Sequence, residues 1–195
     1  NIRITGDSRF VNVDEWIGGE FIASTIRNFV VSGNRADNLD GDLAINLRAA
    51  ADIQPDRSPN LRNIRVNGDV YQGIWDLGGD AGNIRIRGEA RDMEFQIDRS
   101  LRLFRVGAVE NSLLAAGNDI SRIDVASWQD GGIEAGSVQR LTVTGDRRLD
   151  IDGDLVNVTI STSEIGRVFV TNDVVSSELR AARRASDPGF AIDRI

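Results

Sequence analysis

The chain has 195 residues, 41% of them hydrophobic, and a formal net charge of −7. It holds no cysteine and no histidine, and all 23 basic residues are arginine, which excludes thiol catalysis, Cys/His zinc sites, Ser-His-Asp triads and lysine Schiff bases within it. No apolar run approaches the roughly 20 residues of a membrane-spanning helix, and the acidic balance speaks against nucleic acid as a partner, although a local arginine cluster can still attract an anion.

The first seven residues, "NIRITGD" from Asn1, state a phrase that the rest of the chain repeats. Its form is a polar or turn residue, then apolar, any, apolar, any, and often Gly followed by an acid. It returns as "NFVVSGN" at Asn28, "NIRVNGD" at Asn63 and "NIRIRGE" at Asn83. Looser copies start at Leu103, Arg122, Arg140, Asn157 and Arg167. From Asn63 the starting positions 63, 83, 103, 122, 140 and 157 are spaced by 20, 20, 19, 18 and 17 residues. The last step, to Arg167, is only 10 and leaves the register there ambiguous.

Alternation within each copy is the two-residue period of a strand with one face buried. The inward pairs run from Ile2 and Ile4 through Ile64 and Val66, Ile84 and Ile86, and Phe104 and Val106. They continue to Val158 and Ile160 and to Val168 and Val170. Most are β-branched, which suits a pleated surface and resists helix. A weaker second strand lies between copies, in "SLLAAGN", "GGIEAGS" and "RLDIDGD". Strand, corner, strand and corner consume about 17–20 residues, one turn of a β-solenoid. The expectation is an all-β parallel β-helix over 1–175 with about seven to nine coils, one per phrase copy. A right-handed winding is expected, because coil length drifts and the strict hexapeptide pattern of left-handed coils is absent. A β-sandwich competes, since it too uses short strands with turns between them. Sandwich strands, however, have no reason to repeat one phrase at a nearly constant step.

Two segments break the rhythm. Asn46 to Asn60 carries two of the three prolines and reads as a loop extruded from a corner, with one helical turn at "LRAAAD". From Ser176, "SSELRAARRASDPGF" offers a Ser cap, an early Glu, helix formers and then Pro-Gly. That predicts a short C-terminal helix within 176–195, covering the last coil. Asn1 opens directly into a strand, so the first coil is expected to present an unpaired edge. Either upstream coils cover that edge, or a second copy stacks on it end to end, a heterologous contact that builds filaments.

Three sets of side chains could carry chemistry. Position three of the phrase points outward and holds Arg65, Arg85 and Arg105, with Arg87 on the next outward position. Stacked coil on coil, these would form either a mixed-charge face neutralised by Asp7, Asp69 and Glu89, or a groove gripping carboxylated or sulfated polysaccharide through forked guanidinium contacts. The acid stretches "DNLDGDL" (Asp37, Asp40, Asp42) and "DIDGDL" (Asp150, Asp152, Asp154) suit calcium in composition. Neither has the EF-hand loop, and Asp-Gly corners explain both. No other cofactor is implied. Trp16, Trp75 and Trp128 read as core or corner fillers ahead of sugar platforms.

"AGNIRIRGE", "GSVQRLTVTGD" and "SEIGRVFVTND" resemble repeats in the β-solenoid regions of large bacterial cell-surface and secreted proteins, a likeness covering most of Asn1 to Asp173. "RLDIDGDLVNVTI" is more loosely similar to bactofilins, filament-forming β-helices. The resemblance implies a non-enzymatic structural or adhesive module outside the cell, and it brings no catalytic motif. The alternative is a carbohydrate-active β-helix, a polysaccharide hydrolase or lyase using paired aspartates and an arginine.

Overall fold

The computed structural model describes residues 1–50, 59–148, 150–181 and 192–194. The alternating apolar residues form strands in chain order: β1 (Ile2–Arg3), β2 (Asp7–Ser8), β3 (Val11–Val13), β4 (Trp16–Ala23), β5 (Thr25–Val31) and β6 (Leu43–Ala50). Next come β7 (Leu61–Val66), β8 (Val70–Gly78) and four long strands that turn corners, β9 (Ala81–Ile97), β10 (Leu101–Ile120), β11 (Ile123–Val143) and β12 (Leu155–Val170). β13 (Val174–Val175), β14 (Glu178–Ala181) and β15 (Ile192–Arg194) complete the described chain. These strands pair in parallel, each with its equivalent one coil away, in one sheet wound as a β-solenoid. Among the described residues there is no helix, and so none long and apolar enough to cross a membrane.

The phrase builds one face. Phe29, Ile64, Ile84, Phe104 and Ile123 lie in register along it, and Val31, Val66, Ile86, Val106 and Val125 run beside them. The Thr144 amide donating to the Val125 carbonyl at 3.1 Å places Val143 on the following rung, and Val170 pairs with Val143. All of these inward residues are buried except Val170, which is half-buried. A second face runs through Phe21, Leu47, Trp75, Phe95, Leu114, Ile133 and Ile160.

Two phrase copies belong to that second face. Ile2 pairs with Phe21, and Ile160 with Ile133, whereas Val168 continues the phrase face beside Leu141. The ten-residue step from Asn157 to Arg167 is therefore one corner of a single coil. Ile2, expected inward, is 47% exposed. Between the faces, aromatics pack into a largely aliphatic core. Trp75, Phe95 and Phe104 meet edge to face at centroid distances of 5.1 Å, and Trp128 lies 6.1 Å from Phe104.

Each letter of the phrase now has a physical reason. Asn63 Nδ2 donates to Asn28 Oδ1 at 3.1 Å, and Asn83 Nδ2 to Asn63 Oδ1 at 2.7 Å, so the leading asparagines form a ladder along the axis. The glycines stack where successive corners touch: Gly68 donates to the Gly41 carbonyl and Gly88 to the Gly68 carbonyl, both at 3.1 Å. The closing acids accept from the next coil. Asp42 takes the Asp69 amide at 2.8 Å, and Asp69 takes the Glu89 amide at 2.7 Å. Asn63→Ala deletes both ladder bonds at a half-buried position, and is expected to cost about 1–2 kcal/mol in urea denaturation. A loss below experimental error would show the ladder to be ornamental.

Two of the long coils, Phe21 to Leu47 and Ile133 to Ile160, have a common cause. Asn34 and Leu39 form an isolated antiparallel bridge, as do Asp146 and Ile151. The two hairpins are built alike: Gly33 and Gly145 have φ of 71° and 67°, and Asn38 and Asp150 have φ of 56° and 54°. "SGNRADNLDGDL" and "TGDRRLDIDGDL" are thus two copies of one inserted hairpin. "RLDIDGD", expected as a second strand, places Asp150 in the turn of the later one and Ile151 on its returning arm.

Two further expectations are corrected. Residues 46–50 of the expected loop belong to β6, and the proposed helical turn is strand over 47–50; 51–58 lie outside the described residues. The helix expected from Ser176 is overridden by pairing. Glu178 to Ala181 run in register with Thr159 to Thr162, and Leu179 is half-buried beside Ile160. A free edge on β12 offers backbone bonds and a core contact that a solvated helix lacks. Residues 182–191, the rest of that expected helix, lie outside the described residues.

Candidate functional site

With Val66, Ile86, Val106 and Val125 turned inward, strand geometry forces the residues before them outward. Arg65, Arg85, Arg105 and Asp124 consequently stand in one column: Arg65 pairs with Arg85, Arg85 with Arg105, and Arg105 with Asp124. The parallel rungs set a spacing of about 4.8 Å per coil. Arg87, two residues beyond Arg85, lies at the following corner. The four arginines expected from the sequence all line one groove of about 390 Å³. Thr144, Gly145 and Asp146, at the root of the second hairpin, close one end of it. Asn67 lines the other end and donates to the Ser32 carbonyl beside the first hairpin at 2.9 Å.

Stacked like charges are unfavourable unless something offsets them. At one end Asp124 does so. Arg105 Nη2 donates to Asp124 Oδ2 and Arg122 Nε to Asp124 Oδ1, each at 2.7 Å. Among the described residues Arg65 Nε donates only to Asn67 Oδ1, at 3.2 Å. Arg85 and Arg87 have no hydrogen bond or ion pair among the described residues. The acids expected to neutralise the column are engaged elsewhere. Asp7 accepts from Thr25 Oγ1 at 2.7 Å, Asp69 accepts the Glu89 amide, and Glu89 pairs with Arg91 at 2.6 Å.

Burial alone would raise the Asp124 carboxyl, but hydrogen bonds from Arg122 and Arg105 outweigh it and hold the group below its ordinary value. A carboxyl lowered in the folded state stabilises above its unfolded pKa, and that stability is lost as pH falls through the lowered value. Asp124→Asn is therefore expected to flatten the acid limb of the stability curve below about pH 4. At neutral pH it should cost no more than about 1 kcal/mol, since both arginines are half-exposed. Thermal melts across pH check both; an unchanged acid limb would mean that Asp124 is not held low.

The calcium candidates lie at the second hairpin. Asp150 sits in its turn, and Asp154 Oδ1 accepts from Asn172 Nδ2 at 2.6 Å and the Asp173 amide at 2.9 Å, the same corner bond that Asp42 makes. Among the described residues no group of three or more acids is placed to hold a metal ion. Two carboxylates and an arginine do gather outside the groove: Arg91 bridges Glu89 at 2.6 Å and Glu110 at 3.0 Å. Burial raises the Glu89 carboxyl, Arg91 opposes this, and Glu110 adds to the rise. Trp75 and Trp128 are buried in the core and offer no sugar platform, while Trp16 is half-buried, donating Nε1 to the Gly18 carbonyl at 3.1 Å.

Reading the sequence alone missed Asp124, although it occupies the same third position in "RIDVASW". It also missed the root of the second hairpin as an end wall. Comparison of the chain with protein-family models, with curated proteins and with solved structures finds no match in any of the three.

Proposed function

We propose that this chain is a non-enzymatic binding module, a rigid β-solenoid of an extracellular or cell-surface protein that holds an acidic polysaccharide along its arginine groove. The observation that carries this reading is the pair of uncompensated guanidinium groups, Arg85 and Arg87, in a chain of net charge −7. Charge placed against that balance, in a groove and in register with Arg65 and Arg105, suits bidentate recognition of carboxylate or sulfate. The extracellular setting rests on the resemblance of the repeat phrase.

An enzyme is the weaker reading. Glycoside cleavage needs one carboxyl kept protonated beside another that is ionised. Asp124 is held ionised by two arginines, and the raised Glu89 lies outside the groove, tied to Arg91. A second role is supported by the stack's two ends. Ile2, Phe10 and Ile17 are exposed on the first coil, and Phe169, Val174 and Val175 near the last. Apolar ends suit contact with another solenoid unit, a second copy or a further coil of the same polypeptide.

Titration calorimetry with polygalacturonate, heparin and neutral dextran tests the main proposal. Binding to the acidic polymers is expected to weaken steeply between about 0.05 and 0.5 M salt, with none to dextran. Arg85→Glu combined with Arg87→Glu should lower affinity at least about tenfold, since charged hydrogen bonds of this kind are worth about 1.5–3 kcal/mol each. Failure of both acidic polymers to bind would overturn it.

A further inference from the structure

We infer that the groove reads charge spacing: it takes a linear polyuronate bearing a carboxylate on every sugar, laid parallel to the solenoid axis, and engages three consecutive carboxylates. This rests on the polysaccharide reading above and adds direction, spacing and length to it.

Direction follows from register. Arg65, Arg85 and Arg105 occupy equivalent positions on three successive rungs, so their column runs along the axis and not across it. Spacing follows from parallel pairing, which repeats the cations at about 4.8 Å. The rise per sugar of a (1→4)-linked uronic acid chain is close to the same interval, and rotation about its glycosidic bonds turns consecutive carboxylates toward the column. A polymer with alternating charged and neutral sugars presents a charge to only every second arginine.

Length follows from what stands at the ends. The column's fourth member is Asp124, and Asp146 lies beyond it at the hairpin root. Both repel a further carboxylate. At the other end the residue preceding Arg65 in the column is Val30, which carries no charge. The run of cations is therefore three, with Arg87 beside the middle one and Arg105 at the far end, where it shares the single Asp124 carboxylate with Arg122. The two hairpins leave the stack at the same corner, one after Val31 and one after Val143, with the rungs of Val66, Ile86, Val106 and Val125 between them. Five steps of that spacing put them about 24 Å apart. Nucleic acid is disfavoured by the lining, which among the described residues holds no aromatic side chain on which a base could stack.

The test titrates galacturonate oligomers of two to six sugars, hyaluronan oligomers matched in number of carboxylates, and oligothymidylate. Affinity for oligogalacturonate should rise to the trimer and then level, and the trimer should bind about tenfold tighter than the charge-matched hyaluronan oligomer. Arg85→Ala should lower trimer affinity about tenfold, with partial recovery in Arg85→Lys, which keeps the charge but loses the fork. Arg48→Ala should leave it unchanged, because Arg48 lies on the second face, paired with Asp76. Equal binding of hyaluronan, or affinity climbing steadily to the hexamer, overturns the spacing and length while leaving the polysaccharide reading intact. No binding by any oligouronate or by the parent polymers overturns both. Oligothymidylate binding tighter than the trimer overturns both in favour of single-stranded nucleic acid.

Discussion

Phe95→Ala is expected to destabilise the fold by about 3–5 kcal/mol, the range for deleting a buried aromatic ring. Phe95 is fully buried, on the rung between Trp75 and Leu114, and its ring meets Trp75 and Phe104 edge to face at 5.1 Å. Edge-to-face pairs add about 0.5–1.5 kcal/mol to the loss of buried area. A solenoid coil touches only its neighbours, so no distant element can move in to fill the void. Phe95→Leu keeps much of the volume and is expected to cost about half as much or less. Urea denaturation measures both, and a Phe95→Ala loss under about 1 kcal/mol would mean that the stack collapses onto the cavity.

Gly88→Val is the second large effect, about 1–3 kcal/mol from overpacking alone. A β-carbon at Gly88 would press on Asp69 Oδ1 and sit 2.9 Å from the Gly68 carbonyl oxygen. Asp69 Oδ1 cannot yield freely, because it accepts the Glu89 amide at 2.7 Å. Gly107 repeats the constraint one coil on, its own β-carbon position lying 2.5 Å from the Gly88 carbonyl oxygen. The corner also carries Arg87, so the proposed polyuronate binding should weaken together with stability. Gly6, at the matching letter of the first phrase, has nothing within 4 Å of where a β-carbon would stand, and Gly6→Ala should be neutral or slightly stabilising. A calorimetric melting point for Gly88→Val equal to that of Gly6→Ala would refute the glycine stack.

The phrase face could be read from the sequence because its alternation, its spacing and its leading asparagines all repeat in the same register. The three-arginine column followed directly. What misled was that the second face uses the same alternation: the phrases at Asn1 and Asn157 look like the others, yet they pair with Phe21 and Ile133. That face has its own signature in the polar residues Gln72, Asp92, Asn111, Asp130, Asn157 and Ser176. All six have φ between 45° and 57°, one per coil, where the strand bends. They carry no glycine, so a search for Gly-marked corners passes over them, although asparagine and aspartate tolerate this backbone best. The end of the chain failed for a different reason. "SSELRAARR" has genuine helix propensity, but propensity yields when an adjacent strand edge offers pairing.

The rungs' hydrogen bonds lie along the axis, which gives the stack an unusual response to force. A pull on its two ends opens these bonds rung by rung, as a zip opens, where a sandwich pulled along its strands must shear many at once. Each coil that peels away releases its own length of chain. A coil of 19 residues, such as Phe95 to Leu114, lets out about 65 Å, and the 27-residue coil from Ile133 to Ile160, lengthened by its hairpin, about 90 Å. The coils that carry the two hairpins are thus also long steps in a staircase of extensions. A polymer lying in the groove would staple the rungs it spans, so that under load an occupied module would unravel from its ends and keep its grip longest at the middle.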